Sequence, residues 1–420
     1  MRSSRPWRPH PTNNVATPMR ILVTSSRMPY AVGMVRKLAE AGHEVYASDA
    51  YELAPGSHSK YLAGHFVTGS PRDATTQFID DVERIASENE IELVVPSFEE
   101  VFYLATQRAR LDEVTRLYAP PFETLARVHD KATFQALTDK LGIRTPETIV
   151  ARSDEELRAA VGRFPRYFGR AAFSRGGVAL LTNTGPLAGH VAIDDCNPTP
   201  ESPWLIQEYV DGLMLCTYST MHDGRATTHC TYRAPRQWEH STAIAFESVD
   251  GSETLEIAQA IAGDLGYTGQ MSLDFVDDGG TLYMIECNPR ATDGLLLVDA
   301  SDLSTGVTEA ERELTMVPPG QEVQLSMAVF GQMFDEGLSE WPRSIRDLAR
   351  IRDANKGWHD HMPTLYNFLA FAHHAKLEMK ERTSLFVAMA GDISWDGQPI
   401  DGMSEADAAL LGELGRSAPA

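Results

Sequence analysis

Apolar positions in the first third of the chain fall into short β-branched runs separated by helical patterns. Arg20–Ser25 (RILVTS) reads as a strand, followed by a loop with Pro29 and Gly33, a helical pattern through Ala41, and a Gly-His turn into a second strand, Glu44–Ser48. A helix over Thr75–Glu88 leads to Ile91–Val95, a near-continuous apolar run of the kind buried on both faces of a parallel sheet. The pattern predicts a doubly wound parallel-sheet α/β domain over residues 19–120.

The Pro120-Pro121 pair breaks the chain, and Glu123–Gly142 then reads as two helices, TLARVHD and KATFQALTDKLG. A helix capped by Ser153 and Asp154 runs to about Gly162, after which strand patterns dominate to Asn288. Beyond Leu303 the pattern turns helical over Glu322–Glu336, Ser344–Ile351 and Pro363–Arg382. Residues 304–420 are therefore expected to be a mostly helical C-terminal segment, suited to a lid or a homodimer surface.

Charge narrows the partners. With 37 basic and 59 acidic residues in 420, the formal net charge is −22, which repels phosphate backbones and anionic lipid. Nucleic acid and membrane are not expected as partners, and any anionic ligand must be met by local cations. No apolar run approaches the roughly 18 residues of a membrane span. Residues 1–18 are basic, rich in Pro, Ser and Asn, lack the apolar core of a secretory signal, and read as a disordered extension. Cys196, Cys216, Cys230 and Cys287 are widely spaced with no C-x-x-C pair, which points to reduced thiols and a cytoplasmic location.

Open α/β sheets bind ligands beyond the carboxyl ends of their strands, here Ser25–Arg27, Asp49 and Pro96–Glu100. Each of these also suits a helix cap or a turn. The first loop, SSRMPYAVG, is not a dinucleotide fingerprint, and no phosphate-loop lysine motif occurs.

A second region carries sharper chemistry. Strand Gln270–Val276 (QMSLDFV), the turn Asp277-Asp278-Gly279-Gly280, and the strand ending Glu286-Cys287-Asn288-Pro289-Arg290 form a predicted hairpin. Residue alternation puts Glu286 and Asn288 on one face, and the spacing puts Asp274 beside Glu286. Two carboxylates and an amide oxygen suit a hard cation such as Mg²⁺, with Arg290 nearby as a fork for phosphate or carboxylate oxygens. A solvated hairpin with Arg290 as an ion-pair partner uses the same residues. Upstream, Ser174-Arg175-Gly176-Gly177 forms a loop between apolar strand patterns at 164–168 and 178–181, where backbone amides can approach an anion. Trp204–Gly212 (WLIQEYVDG) is an apolar strand entering a hinge, along whose edge (Gln207, Glu208, Tyr209, Val210) adenine can lie against the backbone of Glu208 and Val210.

Taken together, these elements resemble the ATP-grasp superfamily over about residues 19–303, in its carbamoyl-phosphate-synthase-like and biotin-carboxylase-like branch; GQMSLDF…MIECNPRATDG is the most specific motif. The resemblance implies a two-lobed ATP-grasp domain over 121–303, with a small lid lobe at about 145–206. It implies ATP and two Mg²⁺ ions, for which Mn²⁺ can substitute, held by Asp274, Glu286 and Asn288. Lys131, in His129-Asp130-Lys131, matches the family's phosphate-contacting lysine, and Arg170 stands where a second lysine is usual. The acidic residue that usually holds ribose after the hinge has no counterpart in the apolar Gly212–Leu215.

The reaction implied is ATP-dependent activation of a small carboxylate as an acyl phosphate, followed by transfer to an amine of amino-acid type. Arg290 would hold the acyl-phosphate oxygens, Arg233 and Arg236 the substrate carboxylate, and Asp293 the amine. Carbamoyl-phosphate-synthase-like or carboxylase chemistry is the alternative, and a catalytically silent nucleotide-binding regulator a third. Cys287 is expected to be a buried small hydrophobe, His359 and His361 solvated, and His373-His374 packed.

Overall fold

The computed structural model describes residues 17–173, 180–238, 242–335, 337, 341–354, 360–381 and 385–414. Most of the extension at 1–18 and the loop residues Ser174, Arg175, Gly176 and Gly177 lie outside these, as does His359.

The N-terminal pattern folds as expected into an all-parallel sheet. Its five strands stand in the order Leu62–Val67, Glu44–Asp49, Arg20–Val23, Leu93–Val95, Arg116–Leu117. Two of them, Leu62–Val67 and Arg116–Leu117, lie at the sheet edges, where a strand is paired on one side only and its apolar signal is weak. Helix Pro29–Glu40 covers one face, and helices Thr75–Glu88, Glu100–Thr106 and Phe122–His129 pack on the other.

Helix Lys131–Leu141 follows, capped by Asp130, whose carboxylate accepts from Thr133 N at 2.6 Å. A four-stranded antiparallel sheet then forms in the order Thr148–Ala151, Trp204–Glu208, Tyr167–Ala171, Leu180–Thr182. Ser153 caps the helix Asp154–Arg163 that backs it. The third strand starts at Tyr167 and not at 164, because Pro165 cannot donate to a ladder. Arg170 consequently lies within a paired strand, opposite Leu205.

The third sheet is the scaffold of the cleft. Its main path runs Leu282–Asn288, Gly269–Asp277, Leu213–His222, Arg225–Trp238, Thr242–Val249, Glu322–Gln324, Arg352–Asp353. Residues 322–324, whose pattern reads as the start of a helix, instead pair with Thr242–Val249; Val323 is fully buried there and the helix begins at Ser326. Three residues are too few for periodicity to distinguish strand from helix. Tyr218, Cys230, Tyr232 and Phe246 of this sheet share a core with Val23, Met34 and Leu38 of the N-terminal domain, so the two units are packed as one body.

The C-terminal segment is helical, as expected, but it also completes an earlier core. Trp395 is fully buried, 4.5 Å from Phe102 between ring centroids, and Ile400, Leu410 and Leu414 pack beside it against the parallel sheet's second face. The Trp395 indole N–H donates to Gln398 O, and its backbone N–H to Glu99 Oε2. Trp395→Ala should cost about 3–5 kcal/mol through cavity formation. Thermal unfolding would show this as a transition several degrees lower, and an unchanged transition would show that the tail is a loose appendage.

No helix among the described residues is long and apolar enough to cross a membrane.

Candidate active site

The hairpin Gly269–Asp277 and Leu282–Asn288 pairs Asp274 directly with Glu286, and Ser272 with Asn288. Its turn is closed by Asp277 and Asp278, whose carboxylates accept from the amides of Gly279, Gly280 and Thr281. The pairing is regular from Ser272 to Asp274, so Asn288 stands on the same face as Glu286, and its amide lies over both acids: Nδ2 is 3.1 Å from Asp274 Oδ2 and 3.4 Å from Glu286 Oε1. Cys287 points the other way into the core.

Two cations close on Glu286 from elsewhere in the chain. Arg170 Nη1 donates to Glu286 Oε2 at 2.6 Å, and Lys131 Nζ stands 3.5 Å from the same oxygen. Arg170 also donates through Nη2 to Gln207 Oε1 and Ile285 O, each at 3.1 Å. Gln207 in turn donates to Thr148 Oγ1, which ties the guanidinium to the lid sheet. The two acids are pushed in opposite directions. Burial, reinforced by repulsion from Glu286, raises Asp274 above the usual carboxylate range. For Glu286 burial pulls upward, but Lys131 and then Arg170 outweigh it and hold the carboxyl below that range.

This donor set fits a hard divalent cation. Asp274 and Glu286 are adjacent carboxylates repelling one another, and the amide N–H of Asn288 stands where a positive charge relieves that repulsion. A half-turn of the Asn288 amide presents its oxygen instead. Nowhere among the described residues do three or more His, Cys, Asp or Glu side chains converge as a metal cluster, so this two-acid, one-amide set is the candidate.

Arg290 is built into the same corner by residues far away in sequence. Its guanidinium lies 4.5 Å from the centroid of the Phe98 ring and 3.7 Å from Glu99 Oε1. Nη2 donates to Asn288 Oδ1 and Nη1 to Ala291 O. Phe98 is held in turn by Glu100, fully buried, whose carboxylate accepts from Thr24 Oγ1, Ser97 N and Phe98 N, while Glu99 Oε2 accepts from Trp395 N. The Pro96–Glu100 loop, flagged by strand-end logic, is thus the seat of Arg290; nothing local in the sequence connects the two. Asp293 begins the short turn Asp293–Leu297 next to it, and burial, against the pull of Arg290, raises its carboxyl to about 7. Gly294 is required there: a Cβ would stand 2.6 Å from the Tyr232 ring.

Other expected residues are placed apart. Arg233 pairs with Glu247 on the neighbouring strand at 2.8 Å. Arg236 is buried and donates to Gln332 and Ser344 of the C-terminal segment, so the two arginines do not form one clamp. At the hinge, the amides of Glu208 and Tyr209 donate to Glu147 O and Arg166 O, and Asp211 pairs with Arg166. His374 is buried, its ring 5.2 Å from that of Tyr51.

No protein-family model matches the chain. Among characterised sequences it is similar to the carbamoyl phosphate synthase large chain of Myxococcus xanthus, 26% identical over 236 residues, which covers 50% of this chain and 21% of that one. The corresponding large chain of Sulfolobus acidocaldarius is 27% identical over 179 residues, 39% of this chain and 16% of that one. The matched region thus spans about a fifth of the length of these relatives. Among solved structures, an ADP complex of N5-carboxyaminoimidazole synthetase from Staphylococcus aureus superposes with TM-score 0.58 at 12% identity, covering 77% of this chain and 88% of that one. Biotin carboxylase from Campylobacter jejuni, in complex with an ATP form, gives 0.55 at 15%, covering 71% and 72%. Phosphoribosylamine–glycine ligase from Thermotoga maritima gives 0.55 at 17%, covering 72% and 78%. The chain has the ATP-grasp fold, and its likenesses run to ATP-grasp enzymes of the carbamoyl-phosphate-synthase and biotin-carboxylase branch.

Proposed function

We propose that this protein is an ATP-dependent carboxylate–amine ligase. It would activate a small carboxylate as an acyl phosphate and pass the acyl group to an amine, releasing ADP and phosphate. The observation that carries the reading is the half-buried Asp274–Glu286 pair faced by the buried Lys131 and Arg170, an arrangement of acids for metal and cations for phosphate on opposed elements.

In this reading Asp274, Glu286 and Asn288 hold two Mg²⁺ ions, or Mn²⁺ in their place. The metal supplies charge neutralisation at the phosphates. Lys131 and Arg170 leave Glu286 for the phosphate oxygens, joined by the loop of Ser174, Arg175, Gly176 and Gly177. The hinge from Gln207 through Glu208, Tyr209 and Val210 faces adenine. Arg290 holds the acyl oxygen, which its fork and its fixed stacking on Phe98 suit. Arg233, held by Glu247 two strands from Asp274, would have to leave that ion pair to meet a more distant carboxylate of the substrate, and Asp293 receives the amine and takes up its proton. The helical C-terminal segment is available as a homodimer surface.

A matrix of small carboxylates against amines, bicarbonate and ammonia included, tests this by phosphate release. The expected result is ADP and phosphate formed only when an acid, an amine and Mg²⁺ are all present. Release with bicarbonate and ammonia alone would favour carbamoyl-type chemistry. ATP binding without turnover across the matrix would overturn the ligase reading in favour of a silent nucleotide-binding protein.

A further inference from the structure

The first turn of helix Pro29–Glu40 carries a buried polar atom that the fold leaves unexplained. Tyr30 is 4% exposed, and its hydroxyl makes no hydrogen bond among the described residues. Buried hydroxyls are nearly always paired, so an unpaired one points to a partner that the described residues do not provide.

The helix fixes where that hydroxyl stands. Tyr30, Gly33 and Lys37 share one face, at spacings of three and four residues. Lys37 Nζ donates to the carbonyls of Leu295 and Leu296, each at 3.1 Å, and to that of Val298. A Cβ on Gly33 would stand 2.7 Å from Leu296 Cδ2, so this face lies flush on the segment that follows Arg290. Lys37 meets the Val298 end, which leaves Tyr30 at the Asp293 end. Electrostatics agree: beyond the effect of burial, the charge that the Tyr30 phenol feels most is Arg290, followed by Asp293, Glu100 and Glu99.

The character of the spot decides the ligand. Arg290 donates to Ala291 O and Asn288 Oδ1 and pairs through Nε with Glu99, which leaves further N–H donors on its two terminal nitrogens. A phenolic O–H on the Arg290 side of the site, in the first turn of a helix, suits an oxygen of the substrate carboxylate, with Asp293 left for the amine. We propose that the Tyr30 hydroxyl donates a hydrogen bond to an oxygen of the carboxylate undergoing activation, sharing that group with Arg290. This makes Tyr30 a determinant of the acid substrate and not of the amine, and it rests on the ligase reading above. A carboxylate seated there lies at the carboxyl end of strand Arg20–Val23, so the N-terminal domain contributes directly to acid recognition.

Tyr30→Phe removes the hydroxyl and nothing else. Assayed with the acid–amine pair that releases most phosphate in the matrix, it should raise KM for the acid about tenfold or more, the loss of one hydrogen bond to a charged group. KM for ATP and for the amine should stay within about twofold, since neither ligand is shared. The variant's melting temperature should be equal to or above that of the parent, because an unpaired buried hydroxyl has been deleted. An unchanged KM for the acid, a shift in the amine's KM instead, or a lowered melting temperature would each overturn the assignment of Tyr30. If the parent protein itself shows no acid-dependent phosphate release, the ligase reading fails and this one with it. Turnover by the parent with an unaffected Tyr30→Phe variant overturns the Tyr30 assignment alone.

Discussion

Glu286→Gln is expected to reduce Mg²⁺-dependent phosphate release by about 10³-fold or more, the scale on which a preorganised charge at a phosphoryl-transfer site acts. The substitution is close to isosteric, and its one amide oxygen can keep the contact with Arg170 or that with Asn288 but not both, while the negative charge disappears. Two consequences distinguish loss of metal binding from misfolding. Apparent Mg²⁺ affinity should fall together with the rate, and Mn²⁺ should restore only part of it. The melting temperature should fall by several degrees, because the buried Lys131 and Arg170 lose their counter-ion, while unfolding stays a single cooperative transition. A variant that retains activity within twofold would remove the metal assignment of the whole hairpin.

Arg290→Lys should lower kcat by about 10²-fold while leaving the affinity for Mg²⁺-ADP within a factor of about three. A lysine keeps the charge but cannot stack flat on Phe98 while also donating to Asn288 Oδ1 and Ala291 O. The loss is therefore one of orientation, and it should appear in the rate with bound substrates and not in nucleotide binding. Equal losses in both would mean that Arg290 serves the nucleotide. The measurement is steady-state phosphate release alongside calorimetric titration with Mg²⁺-ADP.

Much of the site is readable along the chain because it is local. The Asp274–Glu286 pairing follows from the period-two alternation of a strand and an Asp-Asp-Gly-Gly turn, both within twenty residues. The Asp130 and Ser153 caps and the helices behind them are equally local. Arg170 and Gln207 lie on neighbouring strands whose apolar runs are visible, although the link from Arg170 to Glu286 crosses 116 residues and needs the lid sheet in place.

The support of Arg290 and the fate of the C-terminal tail are of another kind. Phe98 and Glu99 carry no mark that they will hold an arginine some 190 residues later, and Trp395 carries none that it will fill the core behind Phe102. Arg233 and Arg236, three residues apart, invite a common role, yet one pairs across its sheet and the other is drawn into the C-terminal helices.

The sequence by itself determined the ATP-grasp class, the parallel N-terminal sheet, and the two acids and amide of the hairpin, since turn chemistry and alternation operate over a few residues. Which cations reach Glu286, what steadies Arg290, and where the Tyr30 hydroxyl comes to rest were decided only by tertiary structure. Those contacts join strand ends and loops far apart in the chain, brought together by burying a core shared between the parallel sheet and the central antiparallel one.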